Sequence, residues 1–201
     1  FFSRLAALGS CISASRLDSG FAIKISSILI FISDHSIICF KARQVNAMKL
    51  LVFSDSHGNV ANMEDAVRRE EPDQVLHLGD VVRDADALRR RFPDLPMTRV
   101  RGNCDARSDV PEECLLERAG RRLLLMHGHT RFVKSGPGAA VAAAREARAD
   151  VLLFGHTHDA LCDLQGNLWI LNPGAAGGLL FRSYGVVLLE ADGVYCYTQP
   201  I

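Results

Sequence analysis

The chain has no net charge. Its 201 residues carry 23 Lys and Arg against 23 Asp and Glu, which argues against a generic nucleic-acid coat or a polybasic membrane binder. It has no apolar run near the roughly 18 residues of a spanning helix; the longest clean stretch near the N-terminus is Ile28 to Ile32. It has no Cys-x-x-Cys pair. The six Cys stand singly at 11, 39, 104, 114, 162 and 196, which excludes a Cys-based structural zinc site and reads as the reduced thiols of a cytoplasmic protein. No internal repeat is visible, and residues 48–201 hold no low-complexity linker. A chain of this length suits one domain, or one domain with an appendage, and 48% hydrophobic residues are enough to fill its core.

The composition is uneven. Residues 1–47 hold nine Ser, eight Ile and no Pro, while residues 48–201 hold five Ser, two Ile and all seven Pro. The first segment has net charge +3 and the second −3. Met48 stands directly before the strand-like run Lys49-Leu50-Leu51-Val52-Phe53. The expectation is that the functional domain is 48–201, starting at Met48, and that 1–47 is a doubtful N-terminal extension outside it. Two alternatives are a lipoprotein-like cleavage box at Leu8-Gly9-Ser10-Cys11 and a strand and helix packing on the domain.

Hydrophobic periodicity predicts alternating strands and helices from residue 48 on. Strands are expected at Lys49–Ser54, Gln74–Leu78, Thr98–Arg101 and Val151–Phe154, with helices over Asn59–Glu70, around Ala85–Arg91 and over Gly138–Arg148. Cys114–Glu117 and Arg122–Met126 read as a hairpin turned at Ala119-Gly120. Further paired strands surround Gln165-Gly166-Asn167 and Asp192-Gly193. The pattern fits an α/β domain with one mixed sheet, or two stacked sheets, flanked by helices.

The chemistry lies where apolar runs stop. Five of the seven His fall in three clusters, Asp55-Ser56-His57, His127-Gly128-His129 and Gly155-His156-Thr157-His158, each following an apolar run. Two more runs end in Gly79-Asp80 and Gly102-Asn103. Ligand sites in open α/β sheets form at carboxyl ends of strands. Asp, Asn and His offer oxygen and imidazole nitrogen donors, which suit Mn, Fe, Co, Ni or Zn. The candidate ligands are Asp55, His57, Asp80, Asn103, His127, His156 and His158. Seven are too many for one ion and fit two ions sharing one carboxylate.

The ordered set D-x-H, G-D, G-N, H-G-H and G-H-T-H resembles the calcineurin-like metallophosphoesterases. Gly102-Asn103-Cys104-Asp105 and Asn172-Pro173-Gly174 are similar to the small YfcE-type phosphodiesterase subfamily. The resemblance implies a four-layer αββα sandwich of two mixed sheets flanked by helices. It implies one metal on Asp55, His57, Asp80 and His158, and a second on Asp80, Asn103, His127 and His156, with Asp80 bridging. It also implies a small phosphodiester substrate attacked by a metal-bridging hydroxide. Mn is the first choice of metal, with Ni, Co, Fe or Zn as substitutes. Many wider relatives carry His where this chain has Cys104, so the general acid is unassigned; Asp105, His129 or metal-bound water are the candidates. Asn103 and Asp80 complete the expected catalytic set.

Other readings stay beside this one. The same site suits a phosphomonoesterase or nucleotide pyrophosphatase, and the same fold suits a non-catalytic scaffold like the retromer-subunit relatives. No membrane or nucleic-acid partner is expected, and a homo-oligomer is left open. His77, inside a strand, reads as structural; Cys114, Cys162 and Cys196 read as packing residues. Arg101, Arg107 and Arg131 flank the site loops, where surface solvation is the simpler role and phosphate recognition the sharper one.

Overall fold

The structure is a computed structural model that describes residues 47–178 and 181–201 and, before them, the strand segments 12–17, 20–25, 28–33 and 36–41. The chain divides into two units, Phe1–Ala47 and Met48–Ile201. In the first, β1 (Ile12–Leu17), β2 (Gly20–Ile25), β3 (Ile28–Ser33) and β4 (Ser36–Lys41) form an antiparallel meander, each strand paired with the next. Four strands stand where a strand and a helix were one alternative, and no helix occurs among the described residues of this unit. The Leu8–Cys11 segment and His35 lie outside the described residues.

The second unit holds two five-stranded mixed sheets and three helices. One sheet is ordered β14-β13-β5-β6-β7, with β5 (Met48–Phe53), β6 (Gln74–His77) and β7 (Met97–Arg99) parallel. The hairpin of β13 (Ser183–Leu189) and β14 (Val194–Pro200) joins it antiparallel to β5. The other sheet is ordered β11-β12-β10-β9-β8. In it β9 (Arg121–Met126), β10 (Val151–Leu153) and β12 (Leu168–Pro173) run parallel, with β8 (Glu113–Arg118) and β11 (Ala160–Gln165) antiparallel at the edges.

Strand alternation sorts the core into layers. Leu50 and Val52 of β5 point between the sheets, where they meet Leu123, Leu125, Leu153 and Leu171. Leu51 and Phe53 point to the other face, onto Met63, Ala66 and Val67 of α1 (Val60–Glu70) and Leu88 of α2 (Val82–Arg91). On the far side, Leu124, Met126, Leu152 and Phe154 pack on Ala140, Val141 and Ala144 of α3 (Gly138–Glu146). The order is helix, sheet, sheet, helix: the expected αββα sandwich. Strands covered on both faces read as unbroken apolar runs, and that is why Leu123-Leu124-Leu125-Met126 is buried throughout.

Boundaries follow local chemistry. Asn59 caps α1 by accepting from the Asn62 N–H at 3.2 Å, and the helix ends at left-handed Glu71 before Pro72. Ala119 and Gly120, with φ of 47° and 73°, make the tight β8–β9 turn. The sequence reading of β7 as Thr98–Arg101 runs past its end: the Val100 N–H makes the last bond to β6, at the His77 carbonyl, and Arg101 turns to the Pro111 carbonyl. Helix α2 starts at Val82, three residues before the expected Ala85. Its extra turn is fixed by the Asp105 carboxylate, which accepts from the Val81 and Val82 N–H groups.

Leu123 is fully buried between the sheets. Leu123→Ala is expected to lower unfolding stability by about 3 kcal/mol, read as a shifted urea midpoint at unchanged slope.

Candidate metal centre

The carboxyl ends of β5, β6, β9 and β10, with the loop after β7, meet at one place. The loops are laced together there by main-chain bonds. The Asp55 N–H donates to the Gly79 carbonyl at 3.0 Å, the Gly155 N–H to His127 at 3.0 Å, and the Gly177 N–H to Asp55 at 3.0 Å. Glycine is required at the closest crossings. A Cβ on Gly79 would stand 2.5 Å from the Gly102 nitrogen, and one on Gly155 would strike the Ser54 hydroxyl. Asp55, His57, Asp80, His156 and His158 all have left-handed backbones, with φ between 44° and 69°. That conformation costs on the order of 1–2 kcal/mol per residue, and such strain persists where the surroundings over-determine it.

Two groups of potential ligands result. Asp55, His57 and His158 form one, and Asp80, His127 and His156 the other, each with its ligand atoms within 4.8 Å of one another. In the first, Asp55 is fully buried. Its Oδ2 accepts from the Ser54 hydroxyl at 2.5 Å and the His156 N–H at 3.1 Å. Its Oδ1 has no hydrogen-bond donor and faces His158 Nε2 at 3.0 Å and His57 Nε2 at 4.0 Å.

The second group is fixed by His127. Its Nδ1 lies 2.9 Å from the Leu78 carbonyl, which can only accept, so Nδ1 carries the proton and Nε2 presents a lone pair. That lone pair meets Asn103 Oδ1 at 3.2 Å, Asp80 Oδ1 at 3.5 Å and His156 Nδ1 at 3.1 Å. Burial pushes the Asp80 pKa up, but the bonds from the Cys104 N–H and thiol outweigh it and hold the carboxyl below its usual range. Burial is the leading cause that lowers the pKa of His156 and of His129, favouring neutral rings. Acceptors turned on one another repel unless a cation lies among them. The donor set therefore fits divalent metal.

The remaining site candidates fall as follows. His129 is half-buried beside His127, ring centroids 5.4 Å apart, and its Nδ1 has no partner among the described residues. Asp105 differs from the expectation of a free acid. Its Oδ1 accepts from Val81 and Val82 and its Oδ2 from Gly102 at 3.0 Å, so the carboxylate is occupied holding two loops together. Cys104 is a thiol. Burial first, and then its bond to Asp80 Oδ2 at 3.3 Å, raise its pKa. Arg101 and Arg131 pair with Glu112 and Glu113. Cys114 and Cys196 pack in or against the core between the sheets; Cys162 is exposed on β11 and donates to the Cys196 carbonyl at 3.2 Å.

Sequence reasoning read His77 as structural but missed Asp84 and the bracing role of Asn172. Asp84 is buried on the apolar face of α2. It accepts from the Ser56 hydroxyl at 2.8 Å and the Gly58 N–H at 2.6 Å, pinning the loop that carries His57. His77 Nε2 reaches the same hydroxyl at 3.3 Å, while its Nδ1 accepts from Gly79 at 3.2 Å. Asn172 braces the 155–157 loop through the Gly155 carbonyl and the Thr157 hydroxyl. The one available signal was a carboxylate, Asp84, among Val82, Ala85 and Leu88.

Comparison with known proteins agrees with this geometry. Residues 48–193 match the family model of the calcineurin-like phosphoesterase superfamily domain. The chain is 34% identical over 151 residues to the probable metallophosphoesterase YsnB of Bacillus subtilis, covering 72% of this chain and 86% of that protein. It is 29% identical to the phosphodiesterase YfcE of Escherichia coli, covering 64% and 79%. Among solved structures, a predicted phosphoesterase from Streptococcus pneumoniae superposes with TM-score 0.62 at 23% identity, covering 76% and 98%. Vacuolar protein sorting 29 from Cryptosporidium parvum does so with TM-score 0.64 at 21% identity, covering 77% and 92%.

Burial pushes the His77 pKa down to about 4, below the value near 6.5 it has unfolded. The unfolded chain then binds the extra proton, so this contribution to stability is whole above pH 6.5 and lost as pH falls toward 4. The loss is on the order of 2–3 kcal/mol. His77→Asn is expected to flatten the stability–pH curve in that window, measured by urea unfolding at each pH.

Proposed function

We propose that this chain, which belongs to the calcineurin-like phosphoesterase superfamily, is a phosphodiesterase that works with two divalent transition-metal ions. The observation that carries the reading is the complete donor set, gathered as two groups with Asn103 Oδ1 beside His127 of the second. One ion would rest on Asp55, His57, His158 and Asp80, the other on Asp80, Asn103, His127 and His156. Such ions supply positive charge to the phosphate and activate water for attack on phosphorus. Asp80 would serve both ions, and the bonds from Cys104 fix its carboxylate. Leu78 orients His127, and Ser54 and His156 fix Asp55. Asn103 presents its amide to the phosphate oxygens. His129, half-buried beside His127, is the residue to which we assign contact with the phosphate or its leaving group. Asp105 holds the Asn103 turn in position and is not assigned the proton transfer.

The functional domain in this proposal is Met48–Ile201, the segment that contains every one of these residues and the family match. Mn is the first-choice metal, and the cytoplasm is the compartment that the unpaired thiols suit. A scaffold role is the second reading, since vacuolar protein sorting 29 shares the fold. An eroded site would lack ligands, and here all seven are present.

Met48–Ile201, produced alone, is expected to fold and to hydrolyse bis(p-nitrophenyl) phosphate with added Mn or Ni, and to lose that activity to EDTA. Asp80→Asn is expected to cut turnover by about a thousandfold or more while circular dichroism stays unchanged. A folded, Mn-saturated domain inactive across a panel of mono- and diesters favours the scaffold reading; faster turnover of monoesters favours a phosphomonoesterase.

A further inference from the structure

Two cavities of about 600 Å³ each open beside the metal centre. One lies against His57 and is lined by Gly58, Asn59 and Val60. The other lies against Cys104, between the start of α2 and the turn at 103–105, with Val81, Val82, Arg83, Arg107 and Ser108 in its wall. This second cavity is tied directly to the centre. The Cys104 N–H donates to Asp80 Oδ1 at 2.9 Å, and the thiol to Asp80 Oδ2. A group held there lies one residue from the central carboxylate. A phosphodiester has two arms, and in-line displacement sets the leaving arm opposite the attacking oxygen while the other arm stays beside phosphorus. Two cavities flanking one centre suit two arms.

The charge of the two cavities differs. Arg91, in the wall of the first, is committed to Glu64. In the second, Arg83 and Arg107 are exposed, and their side chains have no ion pair or hydrogen bond to another described residue. The carboxylates there are already engaged: Asp86 with Arg99 at 2.8 Å, and Asp105 with three N–H groups. The side chains of this cavity left free to bind an anion are therefore two guanidinium groups, which match phosphate in geometry and sign.

We propose that the cavity beside Cys104 is a subsite for a second phosphate on one arm of the substrate, held by Arg83 and Arg107. This rests on the phosphodiesterase reading and narrows its substrate class to diesters with a phosphorylated arm, such as a terminally phosphorylated dinucleotide. The volume agrees, since drug- and nucleotide-sized ligands take cavities of roughly 300–1,000 Å³.

The test compares three substrates on the Mn-loaded full chain: dithymidine monophosphate, its terminally phosphorylated form, and bis(p-nitrophenyl) phosphate. Wild type is expected to prefer the phosphorylated dinucleotide in kcat/KM by about tenfold. Arg83→Gln and Arg107→Gln should each remove most of that preference and leave bis(p-nitrophenyl) phosphate within twofold. Arg89→Gln, the same charge change on α2 outside the cavity wall, should leave all three rates unchanged. No preference in wild type, or an equal loss on all three substrates, overturns the subsite while leaving the phosphodiesterase intact. A second readout needs no turnover: calorimetry with thymidine 3′,5′-bisphosphate on EDTA-treated protein. Binding that both cavity variants weaken supports the subsite even if no diester is cleaved, and binding indifferent to them overturns it.

Discussion

Everything at the carboxyl end of the sandwich depends on holding groups together that repel one another. Asp55, Asp80, the Asn103 amide oxygen and the ring nitrogens of His57, His127, His156 and His158 converge in two groups whose ligand atoms lie within 5 Å. Unaided, carboxylates and imidazole lone pairs at that spacing would move apart. They are kept in place by a rigid frame. Two sheets packed on a leucine-rich interior fix where each strand ends, and left-handed backbones at Asp55, His57, Asp80, His156 and His158 turn those side chains inward. The frame supplies the stability that this arrangement consumes, and divalent cations among the donors would return part of it.

Hydrogen-bonded side chains beneath the loops fix where the donors stand. Asp84, Ser56 and His77 form one hydrogen-bonded chain under the 55–58 loop. Asp105 does the same for the 102–105 turn and the start of α2, and Asn172 for the 155–157 loop. Three of the ligand-bearing loops are thus held by hydrogen bonds from a polar side chain. These groups are satisfied inside the protein, so they specify loop positions instead of adding unpaired polarity.

How much of this was legible in the sequence follows from which signals are local. Strand ends, the Ala119-Gly120 turn and the buried run 123–126 announce themselves through periodicity and turn chemistry. The αββα layering and the seven donors followed from the order of five short motifs, each weak alone. What stayed hidden depends on contacts between distant residues. Asp105 looked like a free acid because its three N–H partners belong to Gly102, Val81 and Val82, two of them 23 and 24 residues away. Asp84 gave only a faint sign, a carboxylate on an apolar helix face. The early start of α2 was invisible because the carboxylate that holds its first turn lies in a later loop. The strands of residues 12–41 were unreadable for a different reason: their Ser/Ile-rich runs fit a strand or a short buried helix equally well.

The account stands or falls on whether the two donor groups hold metal. The direct measurement is a calorimetric titration of Mn into EDTA-stripped, dialysed protein, with Asp80→Asn alongside. Two ions per chain are expected for the wild type, with the Asn variant weakened at both sites because Asp80 serves each. Saturation at fewer than one ion per chain, or an Asp80→Asn isotherm identical to wild type, would contradict it.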